Sequence, residues 1–313
     1  MSFLSWNCRG MGGTRTVREL LGIMSKKRPM FVFLMETKAT DVQVEEARVK
    51  MGFDCKIGVE HTGLGGGLAF FWRSADTASP MSYSTNHIDM EITLLDRPAW
   101  RLTGFYGESD RSRRHITWDL LRQLKDRSSL PWVVVGDFND IACLSEKRGS
   151  HSHPTSLIEG LNDALGDCQL VDLGMEGGRY TWEKSRGTES WMEERLDRAV
   201  ATTEWLELHD EVVVQNIYTV FSDHCALSVS FDPGAARAHS GSFKFETAWL
   251  LEEGCAKVVD EAWRLSAGLD FQEPGASCHV WRATMEVGRR TSSAIWQPHP
   301  NFAPNLGSFK GGS

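Results

Sequence analysis

Apolar residues along this chain come in short runs separated by turn-forming residues. "FLSWN" (3–7), "MFVFLM" (30–35), "FDCKIGV" (53–59) and "GLAFFW" (67–72) predict β-strands. "HIDMEITL" (87–94) and "AWRLTGFYG" (99–107) flank "LDRP" and predict a hairpin. Further strands are expected in "PWVVVGDFN" (131–139), "RYTW" (179–182), "EVVVQNIY" (211–218) and "CALSVSF" (225–231). The apolar period changes to that of a helix in "TRTVRELLGIMSKK" (14–27), where Thr14 or Thr16 is the expected cap. It does so again in "TDVQVEEARVKMG" (40–52), "RRHITWDLLRQLKD" (113–126) and "PTSLIEGLNDALG" (154–166). Many strands interleaved with a few helices predict an α/β sandwich: two sheets packed face to face, with helices outside. No repeat of 20 to 50 residues is visible.

The texture changes after residue 231. "DPGAARAHSGS" has a linker's composition, and weaker helical spacing follows in "FKFETAWLLEEGCAKVVDEAWRLSAGL". The end, "NFAPNLGSFKGGS", has the composition of a disordered segment. The expected organisation is one domain over 1–231, a linker over 232–242 and a partly helical or disordered tail over 243–313.

Composition narrows the class. The 313 residues are 41% hydrophobic and 24% charged, ordinary values for a globular protein. Such a chain is long enough to bury a large core without staples. A net charge of −8 argues against a general nucleic-acid coat, which needs a positive face, but leaves room for a local basic patch. The seven cysteines are odd in number and include no CxxC pair, which points to reduced thiols. "MSFLSWNCRGMGG" is too polar for a signal peptide, and no apolar run approaches the length of a membrane span. The expectation is an intracellular, soluble protein, in the nucleus or the cytoplasm.

The chemistry collects where strands end. Asn7 follows "FLSW", Glu36 follows "FVFLM", Tyr106 ends "LTGFY", and Asp137 and Asn139 follow "WVVV". Asp197 lies in "ERLDRAV", and Asp223 and His224 precede the last apolar run. Neighbouring residues of a strand face opposite ways, so Asp223 and His224 can serve one site only at a strand mouth. Taken singly, each of these residues is an ordinary turn or capping residue. Taken together they are hard oxygen donors, a base and hydrogen-bond donors, the equipment of divalent-metal phosphate chemistry.

"SWNCRG", "METK", "GFYG", "VVGDFN", "RLDR" and "SDH" occur in the order seen in the endonuclease/exonuclease/phosphatase superfamily, which includes DNase I and the apurinic/apyrimidinic endonucleases. With "GGGLAFFW" and "RYTWEK", residues 1–231 most resemble the endonuclease domain of plant LINE-type (non-LTR) retrotransposons. The tail resembles the connector to a reverse transcriptase, which suggests a truncated element or a stand-alone descendant.

The resemblance implies a DNase I-like fold and a Mg²⁺-dependent DNA endonuclease, with Mn²⁺ as a substitute, acting as a monomer without an obligate protein partner or a membrane. It implies Glu36 as the principal metal ligand, with Asn7 and Asp223 in the metal shell. Asp137 would position or deprotonate the attacking water, and His224, paired with Asp197, would stabilise charge; in a rival assignment His224 is the base. Asn139 and Tyr106 would donate to the phosphate. Arg9, Arg179 and Thr181 would face substrate, and Arg111, Arg113 and Arg114 are candidate phosphate contacts. Arg198 departs from the residue many relatives carry and leaves local packing open.

Two other functions compete: a phosphomonoesterase of the same fold, such as a phosphoinositide phosphatase, and a non-catalytic binding remnant of a decayed element. "GLGGGLAFFW" is no phosphate loop, because it lacks the Lys-Ser/Thr ending and precedes a strand. "HSHP" (151–154) reads as a plain loop, and Trp72, Trp100 and Trp132 as core or sheet edge.

Overall fold

The structure, a computed structural model, describes residues 1–60, 66–149, 152–209 and 211–231. The chain divides into two units, Met1–Arg237 and Ala238–Ser313, and every described residue lies in the first. The expected linker and tail lie outside the described residues.

The elements run β1 (Ser2–Asn7), α1 (Thr14–Lys27), β2 (Phe31–Met35), α2 (Asp41–Met51), β3 (Cys55–Val59), β4 (Leu68–Trp72), β5 (Ala78–Ser84), β6 (His87–Ile92) and β7 (Trp100–Tyr106). They continue with α3 (Arg114–Asp126), β8 (Trp132–Asp137), β9 (Lys147–Arg148), α4 (Thr155–Asp167), β10 (Val171–Asp172) and β11 (Trp182–Lys184). Last come β12 (Met192–Glu194), β13 (Asp197–Ala201), α5 (Thr203–Glu207), β14 (Val212–Ile217) and β15 (Ala226–Phe231).

Two six-stranded sheets form, with orders β14-β15-β1-β2-β4-β3 and β10-β13-β8-β7-β6-β5. Both are mixed: β1 with β2 and β7 with β8 are parallel, and the other neighbours are antiparallel. A small sheet, β11-β12-β9, stands beside them.

The strand pattern explains the layering. In β2, Phe31, Phe33 and Met35 enter the core between the sheets, while Val32 and Leu34 pack outward with Leu20 and Ile23 of α1 and Val44 and Ala47 of α2. In β8, Val133 and Val135 face inward and Val134 packs with Leu121, Leu161 and Leu165 of α3 and α4. A strand covered on both faces reads as a continuous apolar run, as "FVFLM" and "WVVV" do. Gly104 lets the sheets approach, since a Cβ there would lie 2.3 Å from the Phe33 ring.

Several expectations need correction. Gly13, not Thr14 or Thr16, caps α1, and no side chain bonds the cap. Arg179–Thr181 are not strand, and pairing starts only at Trp182. No strand was expected at β13, yet it pairs with β8 along its whole length. Arg198 sits in it fully buried, bonded to Glu146 at 2.9 Å and Asp172 at 3.0 Å, which resolves the local packing. Trp72, Trp100 and Trp132 are core. Among the described residues no helix is long and apolar enough to cross a membrane.

Candidate active site

The parallel pairs bring four strand ends together. Asn7 closes β1, Glu36 follows β2, Tyr106 closes β7 and Asp137 closes β8. In such sheets the carboxyl ends of the strands form the natural crevice for a ligand. Arg9, Glu36 and Asn139 have φ values of 48°, 48° and 53°. Left-handed backbone is tolerated by Asn but costly for Arg and Glu, where it persists only if surroundings enforce it. Around Glu36, the Thr37 and Lys38 amides donate to Gly67 O at 3.0 Å and Gly66 O at 3.2 Å. Around Asn139, its amide donates to Asp137 Oδ1 at 2.8 Å and its side chain to Gly107 O at 2.8 Å.

The side chains form one connected chain of polar contacts. Asn7 Nδ2 donates to Glu36 Oε1 and to Asp137 Oδ2, each at 3.0 Å. The Tyr106 hydroxyl donates to Glu36 Oε1 at 3.1 Å. His224 Nε2 lies 3.7 Å from Asp137 Oδ2, and Nδ1 lies 2.8 Å from Asp197 Oδ2. Asn7, Asp137, Asp197 and His224 are all buried.

Burial alone would lower the His224 pKa, but the Asp197 and Asp137 carboxylates overcome it and raise it to about 9. Burial raises the Asp137 carboxyl above its ordinary value; the His224 charge pulls it back and Asp197 adds to the rise. Burial would also raise Glu36, but hydrogen bonds from Asn7 and Lys38 and the charge of Arg9 hold it below the ordinary carboxylate value. Tyr106 is raised by burial first, then by Asp137 and Glu36, and keeps its proton.

Asp223 and His224 flank the mouth of β15 but face different partners. His224 turns inward, while Asp223 Oδ2 pairs with Arg9 Nη1 and accepts from Trp182 Nε1 at 3.1 Å. Arg9 Nε also lies 3.6 Å from Glu36 Oε2, so its guanidinium spans two acids at the rim. Thr181 does not face substrate. It is fully buried, and its hydroxyl accepts from the Leu196 and Asp197 amides at 3.0 and 2.9 Å, fixing the start of β13. Arg179 stands exposed nearby.

Arg114 is likewise no free phosphate contact. It is buried against Asp140 at 2.9 Å, and the same carboxylate oxygen takes His153 Nε2 at 2.8 Å. The "HSHP" segment is irregular over 152–154, as expected of a loop, with His153 buried against Asp140; His151 lies outside the described residues. Arg113 leans on Glu108 at 3.5 Å, and Arg111 is exposed.

Sequence reading overlooked Lys38, whose Nζ lies 3.1 Å from Glu36 Oε2, although "METK" contains it. It also missed Trp182 as a rim residue and Ser222, whose hydroxyl donates to Asn7 O at 2.7 Å and accepts from the His224 amide at 3.1 Å. No composition signal marks a serine as a brace.

Two acidic-and-polar groupings offer themselves to a cation. Asp137, Asp197 and His224 place ligand atoms within 4.8 Å of one another. In this group His224 Nδ1 is already engaged by Asp197 Oδ2 at 2.8 Å and Nε2 faces Asp137 Oδ2 at 3.7 Å. Glu36 and Asp223, part-exposed, and the buried Asn7 behind Glu36 offer hard oxygens instead. Asp223 Oδ1 is buried without a hydrogen-bond partner, an acceptor the protein leaves unused, and so the donor set fits a divalent ion.

Known structures share this architecture. The endonuclease domain of TRAS1, a telomere-specific non-LTR retrotransposon, is 17% identical with a TM-score of 0.55, covering 74% of this chain and 98% of that one. An AP endonuclease from Archaeoglobus fulgidus is 14% identical with a TM-score of 0.58, covering 74% and 99%. The 3′ phosphatase NExo from Neisseria, bound to product DNA hairpin, is 16% identical with a TM-score of 0.55, covering 74% and 99%. These likenesses show a DNase I-like fold. No curated protein sequence matches the chain. The model of the Endonuclease/Exonuclease/phosphatase family matches residues 4–224, most of the described part and of the two sheets, and the chain belongs to that family.

Proposed function

We propose that this protein is a Mg²⁺-dependent DNA endonuclease that nicks phosphodiester bonds and descends from a LINE-type element. The observation that carries the reading is the unbroken contact chain from Asp197 through His224, Asp137 and Asn7 to Glu36 and Tyr106.

Charge and geometry favour one set of roles. Two carboxylate neighbours favour the protonated form of His224, so we read it as an imidazolium that faces the developing phosphoryl charge and is oriented by Asp197, rather than as the base. Asp137, buried and held by Asn7 and the Asn139 amide, takes the proton of the attacking water. Tyr106 and Asn139 donate to phosphoryl oxygens; Tyr106 must turn its one O–H from Glu36 Oε1 to do so, while Asn139 has a second N–H beside the one on Gly107 O. Arg9 and Arg179 serve the substrate from the rim. Glu36, Asn7 and Asp223 would hold the divalent ion, which when bound supplies positive charge against the phosphate. Water oxygen binds phosphorus as the P–O bond to the leaving alkoxide breaks, and solvent reprotonates that alkoxide.

The test is conversion of supercoiled plasmid to open circles with Mg²⁺, stopped by EDTA and abolished in Asp137→Asn. Supercoiled DNA left intact by the wild-type chain would refute it. The phosphatase among the structural neighbours favours a second reading, hydrolysis of a terminal phosphate, which release of inorganic phosphate from a 3′-phosphorylated oligonucleotide would reveal.

A further inference from the structure

We propose that the turn from Tyr218 to Ser222, with Arg186 opposite, is a binding site for one unpaired nucleotide next to the scissile phosphate, its base stacked on Phe221. This inference rests on the endonuclease reading and adds to it the structural state of the substrate.

Three apolar side chains stand in water here: Tyr218, Val220 and Phe221 are 62%, 69% and 45% exposed. An exposed aromatic ridge on a loose loop would mean little. This turn is braced at every step. One Glu19 carboxylate, reaching from α1, accepts both the Val220 amide at 2.6 Å and the Phe221 amide at 3.1 Å. The Thr219 hydroxyl, buried beneath, donates to His224 O at 2.6 Å, and Ser222 donates to Asn7 O at 2.7 Å. The braces tie the backbone of the ridge to the strand ends that carry the site, so the turn is held before any ligand arrives and the entropy cost of binding falls.

The ridge forms one wall of an open groove of about 580 Å³. Arg9 and Asp223 line it as well, so the groove is continuous with the candidate active site. Arg186, with its side chain 61% exposed and tethered to Glu183 at 2.9 Å, supplies a guanidinium to the same groove. An aromatic face beside arginines at a groove is the combination that grips nucleic-acid strands: rings stack on bases and guanidiniums meet phosphates. A base inside a duplex has both faces covered by its neighbours. Phe221 can therefore stack only on a nucleotide that is unpaired or turned out.

The test uses the full chain in EDTA, which prevents cleavage. Fluorescence anisotropy compares a labelled oligothymidylate about 12 nucleotides long with an abasic deoxyribose-phosphate oligomer of the same length and charge. Phe221→Ala should weaken oligothymidylate binding roughly 5- to 150-fold and leave the abasic oligomer unchanged, whereas Phe221→Tyr should retain oligothymidylate binding. Arg186→Gln should weaken both and lower the salt slope by about one. Equal losses on both oligomers, or no loss on oligothymidylate, overturns the stacking site and leaves the endonuclease reading standing. Failure of the wild-type chain to bind either oligomer or duplex DNA overturns both.

Discussion

His224 lies between two carboxylates, and its proton decides what the site can do. A free imidazole loses half its charge near pH 6.5. With its pKa raised to about 9, His224 should sustain nicking well above that and lose it only toward about pH 9. Asp197→Asn removes the strongest raising charge and should move the alkaline fall to lower pH. His224→Ala should cost roughly 10² to 10⁴ in rate, and the double variant little more, because the pair shares one role. Single-turnover rates across pH decide this: an alkaline fall near 6.5 in the wild type would refute the charged histidine. The same shift acts on stability. The raised folded-state value makes the charged contact fully stabilising below about 6.5, and that contribution fades as pH rises through about 9. At the metal edge, Glu36→Gln should raise the Mg²⁺ concentration needed for nicking; an unaltered titration would remove Glu36 from that edge. Glu36 was legible because it follows an apolar run and His224 because it precedes one, whereas Asp197 carries no such mark. Thr181 was misread because a hydroxyl near an active site looks the same in sequence whether it meets substrate or two buried amides.

At the scale of elements, strands covered on both faces announced themselves, and so did β6 and β7 despite the buried Asp89–Arg101 pair, whereas the short β13 did not. "DRAVA" hid because Arg198 interrupts its apolar run, and only the fold supplies Glu146 and Asp172 to accept that charge. Edge strand β5, "ASPMSYS", hid because most of it is solvated and carries no apolar alternation. Arg198→Ala should cost about 1.5–3 kcal/mol, since Glu146 and Asp172 lose their charge-assisted bonds to Arg198 and keep only those to Arg195. It should lower nicking as well by loosening β13, which carries Asp197; a urea midpoint within error of wild type would deny the network that role. Gly104→Ala drives a methyl into the Phe33 ring and should destabilise by about 1–3 kcal/mol through overpacking, read as a lower melting temperature at unchanged chemistry.

For the molecule as a whole, the first compact unit, Met1–Arg237, contains the described hydrophobic clusters and the described contacts of the candidate site. A chain ended after Arg237 should therefore melt cooperatively and keep nicking plasmid; collapse of that chain would mean the later residues complete the fold. A net charge of −8 predicts modest affinity for DNA and a shallow dependence on salt, measurable as the slope of log K against log salt. The sandwich itself was legible from the order of strands and helices.

The first strand has its antiparallel partner at the other end of the domain: β1 pairs with β15, from Ser2 opposite Ser230 to Trp6 opposite Ala226. On the ribosome, β1 must wait for its neighbour until the last strand has left the exit tunnel. Asn7 and His224 arrive on those two strand ends, so the nascent polypeptide holds no assembled catalytic centre at any earlier stage of synthesis. Contacts this distant also fold slowly. The candidate site is thereby kept incomplete until translation of the domain is finished, by the order in which its strands are made.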